Sequence, residues 1–183
     1  MPLSDLSSPD EKDEPPKDGE LTARILAEVP VLRRHAQSLL YSRADAEDLV
    51  QDCLETALQK AGSLQDPGRL RGWLFSILNN LFLMRLRREA RRGRVLPIEE
   101  FADSLAASVP PADRDRARDL ARAMGRLSAE HRQILLLINL EGQSYQEAAD
   151  ALGVPIGTVM SRLARARQRL RAVLQGDELR TVD

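Results

Sequence analysis

Cysteine and aromatic residues are scarce in this chain. One tryptophan, two tyrosines and three phenylalanines make up its whole aromatic content. Leucine, alanine and arginine dominate instead, which favours helices, and few segments alternate like strands. The lone cysteine, Cys53, cannot form an internal disulfide, which fits a reducing cytoplasm. We expect it to be a small, buried, apolar residue.

Long apolar runs and the motifs of common enzymes are also missing. The longest apolar run, Ile134 to Ile138, is far too short to cross a bilayer, and the acidic, proline-rich N-terminus is unlike a secretory signal. His35 and His131 have no cysteine or histidine partner at ligand spacing. There is no glycine-rich phosphate loop and no hydrolase or zinc-protease motif. We therefore expect a cytoplasmic protein that has no catalytic residues, no metal, no cofactor and no stable membrane insertion.

Charge is strongly segregated behind a net charge of −1. Residues 5–20 are mostly acidic, and a second acidic cluster lies in residues 45–55. Arginines concentrate in residues 85–94 and again in residues 162–171. Local patches determine the field that a phosphate meets, so this average charge does not argue against binding nucleic acid.

Apolar spacing predicts an all-α protein of two small helical domains joined by a flexible linker. Helical patterns cover residues 21–41, which Pro30 should kink or split, and also 44–60, 70–92, 114–124, 129–140, 145–152 and 155–174. The boundaries that we predict are a disordered acidic tail at 1–19, a first domain at 20–93, a linker with little stable structure at 94–113, a second domain at 114–176 and a tail at 177–183.

The segment 144–174 predicts a helix-turn-helix. Ser144 and Glu147 have the spacing of a capping box, Gly153 suits a left-handed helix end, and Pro155 suits the first turn of the next helix. In that helix, one face is expected to be buried and comprises Ile156, Val159, Leu163, Ala166, Leu170 and Val173. Hydroxyls and arginines on the other face can meet base edges and phosphates. An exposed arginine-rich helix of a plain bundle is the alternative interpretation of this pattern.

Two sets of motifs resemble the extracytoplasmic-function (ECF) sigma factors of bacterial RNA polymerase, members of the sigma-70 family. Residues 127–137 (LSAEHRQILLL), 140–149 (LEGQSYQEAA) and 157–167 (GTVMSRLARAR) resemble region 4 of that family. Residues 44–52 (ADAEDLVQD) resemble its polymerase-gripping helix in region 2, and residues 70–80 (LRGWLFSILNN) resemble its promoter-melting helix. Met84 and Met160 stand where many relatives have an acidic and a basic residue, respectively.

The resemblance implies a non-enzymatic transcription initiation factor with three kinds of contact. Core RNA polymerase would be bound through its beta-prime clamp helices and its beta flap. The first domain would contact the clamp helices at Asp45, Glu47, Asp48, Gln51 and Asp52. The minus-ten element of promoter DNA would be contacted by Arg69, Trp73, Asn80, Arg85, Arg87 and Arg88. The minus-thirty-five element would be read as duplex by Thr158, Met160, Ser161, Arg162, Ala164 and Arg165. Many members are held by an anti-sigma factor, so such a partner is expected here.

Two other functional classes remain open at this level. A response-regulator-type DNA-binding protein shares the helix-turn-helix but needs a receiver or ligand domain, and residues 1–113 show no alternating strands. A decoy that sequesters an anti-sigma factor has no need of DNA-facing arginines. The two predicted domains show no obvious fixed interface in sequence, so we expect their relative placement to respond to partners.

Overall fold

The computed structural model describes residues 18–91, 98–107 and 109–176, and all regular secondary structure in these ranges is helical. The α-helices are α1 (Asp18–Ala27), α2 (Val29–Leu40), α3 (Arg43–Gln59), α4 (Leu70–Arg91), α5 (Ile98–Ala107), α6 (Arg114–Gly125), α7 (Ala129–Leu135), α8 (Tyr145–Leu152) and α9 (Ile156–Leu174). A π-helical turn, Leu136–Leu140, continues α7. Short 3₁₀ turns lie at Ala61–Ser63, Pro67–Arg69 and Pro111–Asp113.

Helices α1 to α4 form the N-terminal unit. The predicted break near Pro30 is confirmed, because α1 ends at Ala27 and Pro30 occupies the first turn of α2. Backbone N–H groups in a first turn have no acceptor within the helix, so a proline there costs no hydrogen bond. Ser42 caps α3 by accepting a hydrogen bond from the Asp45 N–H. The apolar stripes of α2, α3 and α4 meet in one core around Phe75 and Phe82, both fully buried.

Cys53 lies in this core, as its apolar neighbours in sequence predict. Its side chain is buried, and its Sγ lies 3.6 Å from the Leu74 carbonyl oxygen. Burial raises the pKa of the thiol to about 12. The thiolate is the reactive form of cysteine, so Cys53 is an inert packing residue at neutral pH.

The segment between the predicted domains contains a helix, so the expectation of little stable structure in residues 94–113 is wrong for 98–107. The prolines at 97, 110 and 111 flank α5 and do not interrupt it. Helix α5 packs along α6, and Ala102 and Ala106 are fully buried. Two ion pairs join the same helices: Asp103 with Arg118 at 2.9 Å and Glu99 with Arg122 at 2.8 Å.

Helices α5 to α9 form the C-terminal unit, which packs directly against the N-terminal unit. Helix α8 contacts α4, and both α7 and the π turn contact α2. Buried apolar residues of both units belong to a single cluster. The two units therefore share an interface that the sequence did not indicate. Helical periodicity shows which face of a helix is apolar but does not identify the face that covers it.

The predictions for the chain ends fall mostly outside the described residues. Residues 1–17 and 177–183 lie outside them, while Asp18 and Gly19 of the predicted acidic tail belong to α1.

Candidate polymerase and promoter interfaces

The predicted polymerase-binding residues lie along α3 and differ in exposure. Asp48, Gln51 and Asp52 are exposed. Glu47 is half-exposed and pairs with Arg33 at 2.7 Å, within the same unit. The Asp45 side chain is only 17% exposed. The outer part of α3 therefore presents an anionic strip, and Asp45 lies beneath its edge.

Arg85 of α4 accounts for the burial of Asp45. Its guanidinium donates to the Asp45 carboxylate and, at 3.2 Å, to the Asp45 backbone carbonyl. It also lies 3.9 Å from the Asp48 carboxylate, and its own side chain is 14% exposed. Arg85 was predicted to contact minus-ten DNA, but here it ties α4 to the start of α3. This geometry favours a role in positioning the acidic strip.

The predicted minus-ten residues surround the loop that precedes α4. Asp66 accepts a hydrogen bond from the Gly68 N–H at 2.7 Å, which fixes the turn that contains Pro67. Arg24 donates to the Pro67 carbonyl at 2.5 Å and holds this loop on α1. Arg69 projects from the loop with 76% of its side chain exposed.

A cleft of about 930 Å³ separates this loop from α8. Its lining from the N-terminal unit includes Arg69, Trp73 and Ser76, and its lining from the C-terminal unit includes Ser144 and Asp150. Trp73 is half-buried, so it serves both the core and the cleft wall. Farther along α4, Asn80, Arg87 and Arg88 are all exposed.

The local signals of the helix-turn-helix are confirmed by the geometry. The Ser144 hydroxyl accepts from the Glu147 N–H at 3.2 Å, and the Glu147 carboxylate accepts from the Ser144 N–H at 2.8 Å. These hydrogen bonds hold the pKa of Glu147 below its usual value. Gly153 ends α8 at φ 64°, a conformation that other residues adopt at a cost.

Helix α9 buries Val159, Leu163 and Ala166 and exposes most of its predicted DNA-facing residues. Met160, Ser161, Ala164 and Arg165 are exposed, and Thr158 and Arg162 are half-buried. The prediction that Ile156 is buried is wrong, because its side chain is 43% exposed. It is the first residue of α9, where the helix has just left the turn from α8.

Sequence reasoning did not predict a second group of polar residues, which joins the two units. Arg132 of α7 is 3% exposed and donates to the Leu39 carbonyl at 2.8 Å. The same guanidinium donates to the Met124 and Gly125 carbonyls at the end of α6 and to the Leu127 carbonyl just beyond it. It also lies 4.7 Å from the centroid of the Tyr41 ring. It thus satisfies the last carbonyls of two helices at once. Arg132 stands between His131 and Gln133 in the sequence, a polar context that is equally typical of a solvated helix face.

Gln133 and Asn79 make another buried link between the units. The Gln133 Nε2 donates to the Asn79 carbonyl at 3.2 Å and to its Oδ1 at 3.0 Å. Both side chains are about 1% exposed. Buried amides of this kind are stabilising only while they remain paired.

Glu141, from the C-terminal unit, is held against α2. Its carboxylate accepts from Arg34 at 2.5 Å, and its other oxygen lies 3.6 Å from Nδ1 of the buried His35. Burial raises the pKa of Glu141, but the neighbouring His35 and Arg34 lower it further, so it lies below its ordinary value. The buried carboxyl is therefore anionic at neutral pH and needs these partners.

Comparisons with known proteins agree with this division of the chain. A family model described as Sigma-70 region 2 matches residues 25–92, and one described as Sigma-70, region 4 matches residues 117–170. The ECF RNA polymerase sigma factor EcfG of Rhodopseudomonas palustris is 37% identical over 157 residues, which cover 84% of each chain. SigM of Mycobacterium tuberculosis, another ECF sigma factor, is 37% identical over 155 residues, 79% of this chain and 75% of SigM.

Solved structures give the same result. The sigma factor RpoE of Bartonella quintana, in complex with the anti-sigma factor NepR, matches with a TM-score of 0.66 and 33% identity over 85% of this chain and 97% of that one. CnrH, in complex with the cytosolic domain of CnrY, matches with a TM-score of 0.62 and 27% identity over 88% of this chain and 92% of that one.

Fold and matches together define a two-domain helical transcription initiation factor, not an enzyme. The chain belongs to the ECF sigma factors of the sigma-70 family. No helix among the described residues is long and apolar enough to cross a membrane.

Proposed function

We propose a residue-level division of labour for this sigma factor. The strip of half-exposed Glu47 and exposed Asp48, Gln51 and Asp52 binds the clamp helices of core RNA polymerase. Arg85 and Asp45 hold that strip in place. Exposed carboxylates on such a rim act mainly on association rate and specificity. The chain would do this work in the cytoplasm, where the core enzyme is found.

In the same proposal, α9 reads the minus-thirty-five element in the major groove. The observation that carries it is the division of α9 into a buried face of Val159, Leu163 and Ala166 and an exposed face with Ser161 and Arg165. A recognition helix behind a capped first helix and a tight glycine turn docks in this way. A decoy that only binds an anti-sigma factor would not need this exposed basic face.

The minus-ten element is assigned to the loop before α4 and to the exposed side of that helix. Arg69 and Trp73 offer a cationic and an aromatic group at the cleft, as recognition of an unstacked base requires. Asn80, Arg87 and Arg88 follow along the exposed side and would contact the single strand or its phosphates.

Run-off transcription with purified core polymerase over a promoter library tests the whole assignment. We expect specific transcripts that depend on this chain, and the start sites would define the two promoter elements. Core polymerase alone is the control for background initiation. The electrophoretic mobility of the selected promoter DNA, measured with and without core polymerase, separates the alternatives. A free-standing regulator would bind the DNA without core polymerase, and a decoy would not bind it in either case.

We also propose an anti-sigma factor as a regulatory partner. The solved structure of RpoE, which this chain resembles, is a complex with the anti-sigma factor NepR, which supports the assignment. Affinity capture from unstressed host cells should recover a protein that competes with core polymerase for the purified chain. Recovery of polymerase alone, with full activity of the free chain, would contradict this mode of control.

A further inference from the structure

Helix α9 exposes large apolar side chains in its first two turns. Ile156, its first residue, is 43% exposed, and Met160, one turn later, is 54% exposed. Ala164, a further turn along, is exposed as well. Residues four apart lie on the same face of a helix, so these three side chains form one row, the apolar ridge. The core takes up Val159 and Leu163 instead, and the ridge remains outside it.

Few hydrogen-bonding groups share this exposed surface with the apolar ridge. The Ser161 hydroxyl is exposed, but it donates to the Thr158 carbonyl at 3.1 Å, which leaves it only as an acceptor for another molecule. Thr158 itself and Arg162 are half-buried, and Gly157 is exposed but has no side chain. A molecule that meets the first two turns of α9 therefore meets mainly apolar side chains.

Gly157 allows such a molecule to come close to the helix backbone. A Cβ at this position would meet no other part of the described chain within 4 Å. Glycine costs a helix about 1 kcal/mol relative to alanine, and packing within the chain does not require it here. Glycine is common where a backbone approaches a ligand closely, so this end of α9 has the form of a contact surface.

Charge complementarity identifies DNA as the molecule that this surface contacts. Residues 156–174 contain five arginines and no aspartate or glutamate. At 3.6 residues per turn, Arg162, Arg165 and Arg169 lie on the opposite flank of α9 from the apolar ridge. In the major groove, arginines on one flank can hold phosphates while the N-terminal residues of the helix reach base edges.

Thymine supplies the apolar group that the ridge needs, because its C5-methyl projects into the major groove. We propose that Ile156 and Met160 read thymine methyl groups in the minus-thirty-five element. The inference rests on the proposed function, since it assumes that α9 lies in the major groove of that element. Four residues of helix span about 6 Å, or roughly two base-pair steps of about 3.4 Å. The element should therefore contain thymines, on either strand, about two steps apart.

Replacement of thymine by deoxyuridine tests this assignment, because it removes the methyl group and keeps the hydrogen-bonding groups of the base. The probe is the promoter selected by run-off transcription, with each thymine of its minus-thirty-five element replaced in turn. Binding by holoenzyme assembled from core polymerase and this chain is measured for each probe. We expect the Kd to rise about 4-fold at each contacted methyl, the effect of one buried methylene-sized group.

Substitutions in the ridge should remove this discrimination at single positions. Met160→Ala should bind thymine and deoxyuridine equally at one position, and Ile156→Ala should do so at another. Met160→Leu, which keeps an apolar side chain of similar size, should retain the discrimination. Neither alanine variant should change the salt dependence of binding, since the ridge contacts no phosphate. Leu174→Ala is the matched control at the far end of the same helix, where an apolar side chain is 47% exposed, and it should retain discrimination at every position.

Several outcomes would overturn the inference. A selected minus-thirty-five element without thymine on either strand would do so directly, and so would a wild type that is insensitive to every replacement. Alanine variants that keep full discrimination but lose affinity for core polymerase would assign the ridge to a protein contact instead.

Arg165→Ala separates these outcomes from a failure of the proposed function. If Arg165→Ala weakens binding to the element while both ridge variants keep full discrimination, α9 reads the element without methyl contacts, and only the inference is lost. If neither Arg165→Ala nor the ridge variants change binding to the element, the proposed role of α9 is lost as well.

Discussion

Replacement of Arg132 by methionine should destabilise the folded chain more than any surface substitution. Methionine keeps much of the apolar volume but removes hydrogen bonds to the Leu39, Met124 and Leu127 carbonyls, at 2.8, 3.3 and 3.4 Å, and the contact with the Tyr41 ring. A hydrogen bond from a charged donor contributes about 1.5–3 kcal/mol and a partly desolvated cation–π contact about 1–2 kcal/mol. Because water can reach some of the carbonyls once the structure around residue 132 has relaxed, we expect the free energy of unfolding to fall by about 3–5 kcal/mol.

Urea unfolding followed by circular dichroism measures this loss. With an m-value of about 2 kcal/mol/M, the midpoint should fall by roughly 1.5–2.5 M. Arg126→Met, two residues beyond Met124 in the same region, is the control, because Arg126 is exposed and a surface change of this kind stays within about 0.5 kcal/mol. A shift for Arg132→Met no larger than that of Arg126→Met would refute the reasoning that this guanidinium joins the ends of two helices.

Three further predictions concern binding and pH. Charge reversal at Asp48 and Asp52 should weaken core binding while circular dichroism stays unchanged, and unaltered affinity would remove the assignment of the acidic strip. Arg165→Ala should weaken binding to the minus-thirty-five element by about 1–3 kcal/mol. Loss of a phosphate contact would flatten the salt dependence of binding, and loss of a base contact would relax sequence preference at one position. A holoenzyme footprint that shows neither change would reject the proposed orientation of α9. Burial raises the pKa of Tyr41 to about 12, against a coulombic lowering by Arg132, and raises that of Cys53 to about 12. Because both groups stay protonated longer in the folded state, their contribution to the free energy of unfolding is complete below their unfolded pKa values. That contribution is lost as the pH rises toward 12, and for Tyr41 the loss is about 2–3 kcal/mol. Tyr41→Phe should reduce this alkaline loss in urea titrations, and an identical pH profile would contradict the assignment.

Local chemistry made the helix-turn-helix predictable. The capping box of Ser144 and Glu147, the left-handed Gly153 and the proline that starts the next helix each act within a few residues, so their consequences are visible in the sequence. The same holds for Pro30, whose missing N–H determines where α2 can begin. These local features were enough to predict which face of α9 is exposed.

Long-range partners were not predictable in this way. Arg132 and Leu39 are 93 residues apart, and Gln133 and Asn79 are 54 apart. Nothing in the local pattern distinguishes a buried guanidinium that donates to four carbonyls from an arginine in solvent. The pairing of Arg85 was not predictable for the same reason, since its place in a basic run suggested DNA while its position in space supplies a partner for Asp45.

Helix α5 also determines how far the segment between α4 and α6 reaches. Its ten residues span about 15 Å as a helix, at 1.5 Å per residue, but about 33 Å when extended. Its attachment to α6 includes alanine packing and exposed ion pairs, and an exposed pair contributes at most about 1 kcal/mol. Unwinding this one helix would roughly double its span at a modest cost. The segment between α4 and α6 would therefore reach about 18 Å farther with α5 unwound than with α5 folded.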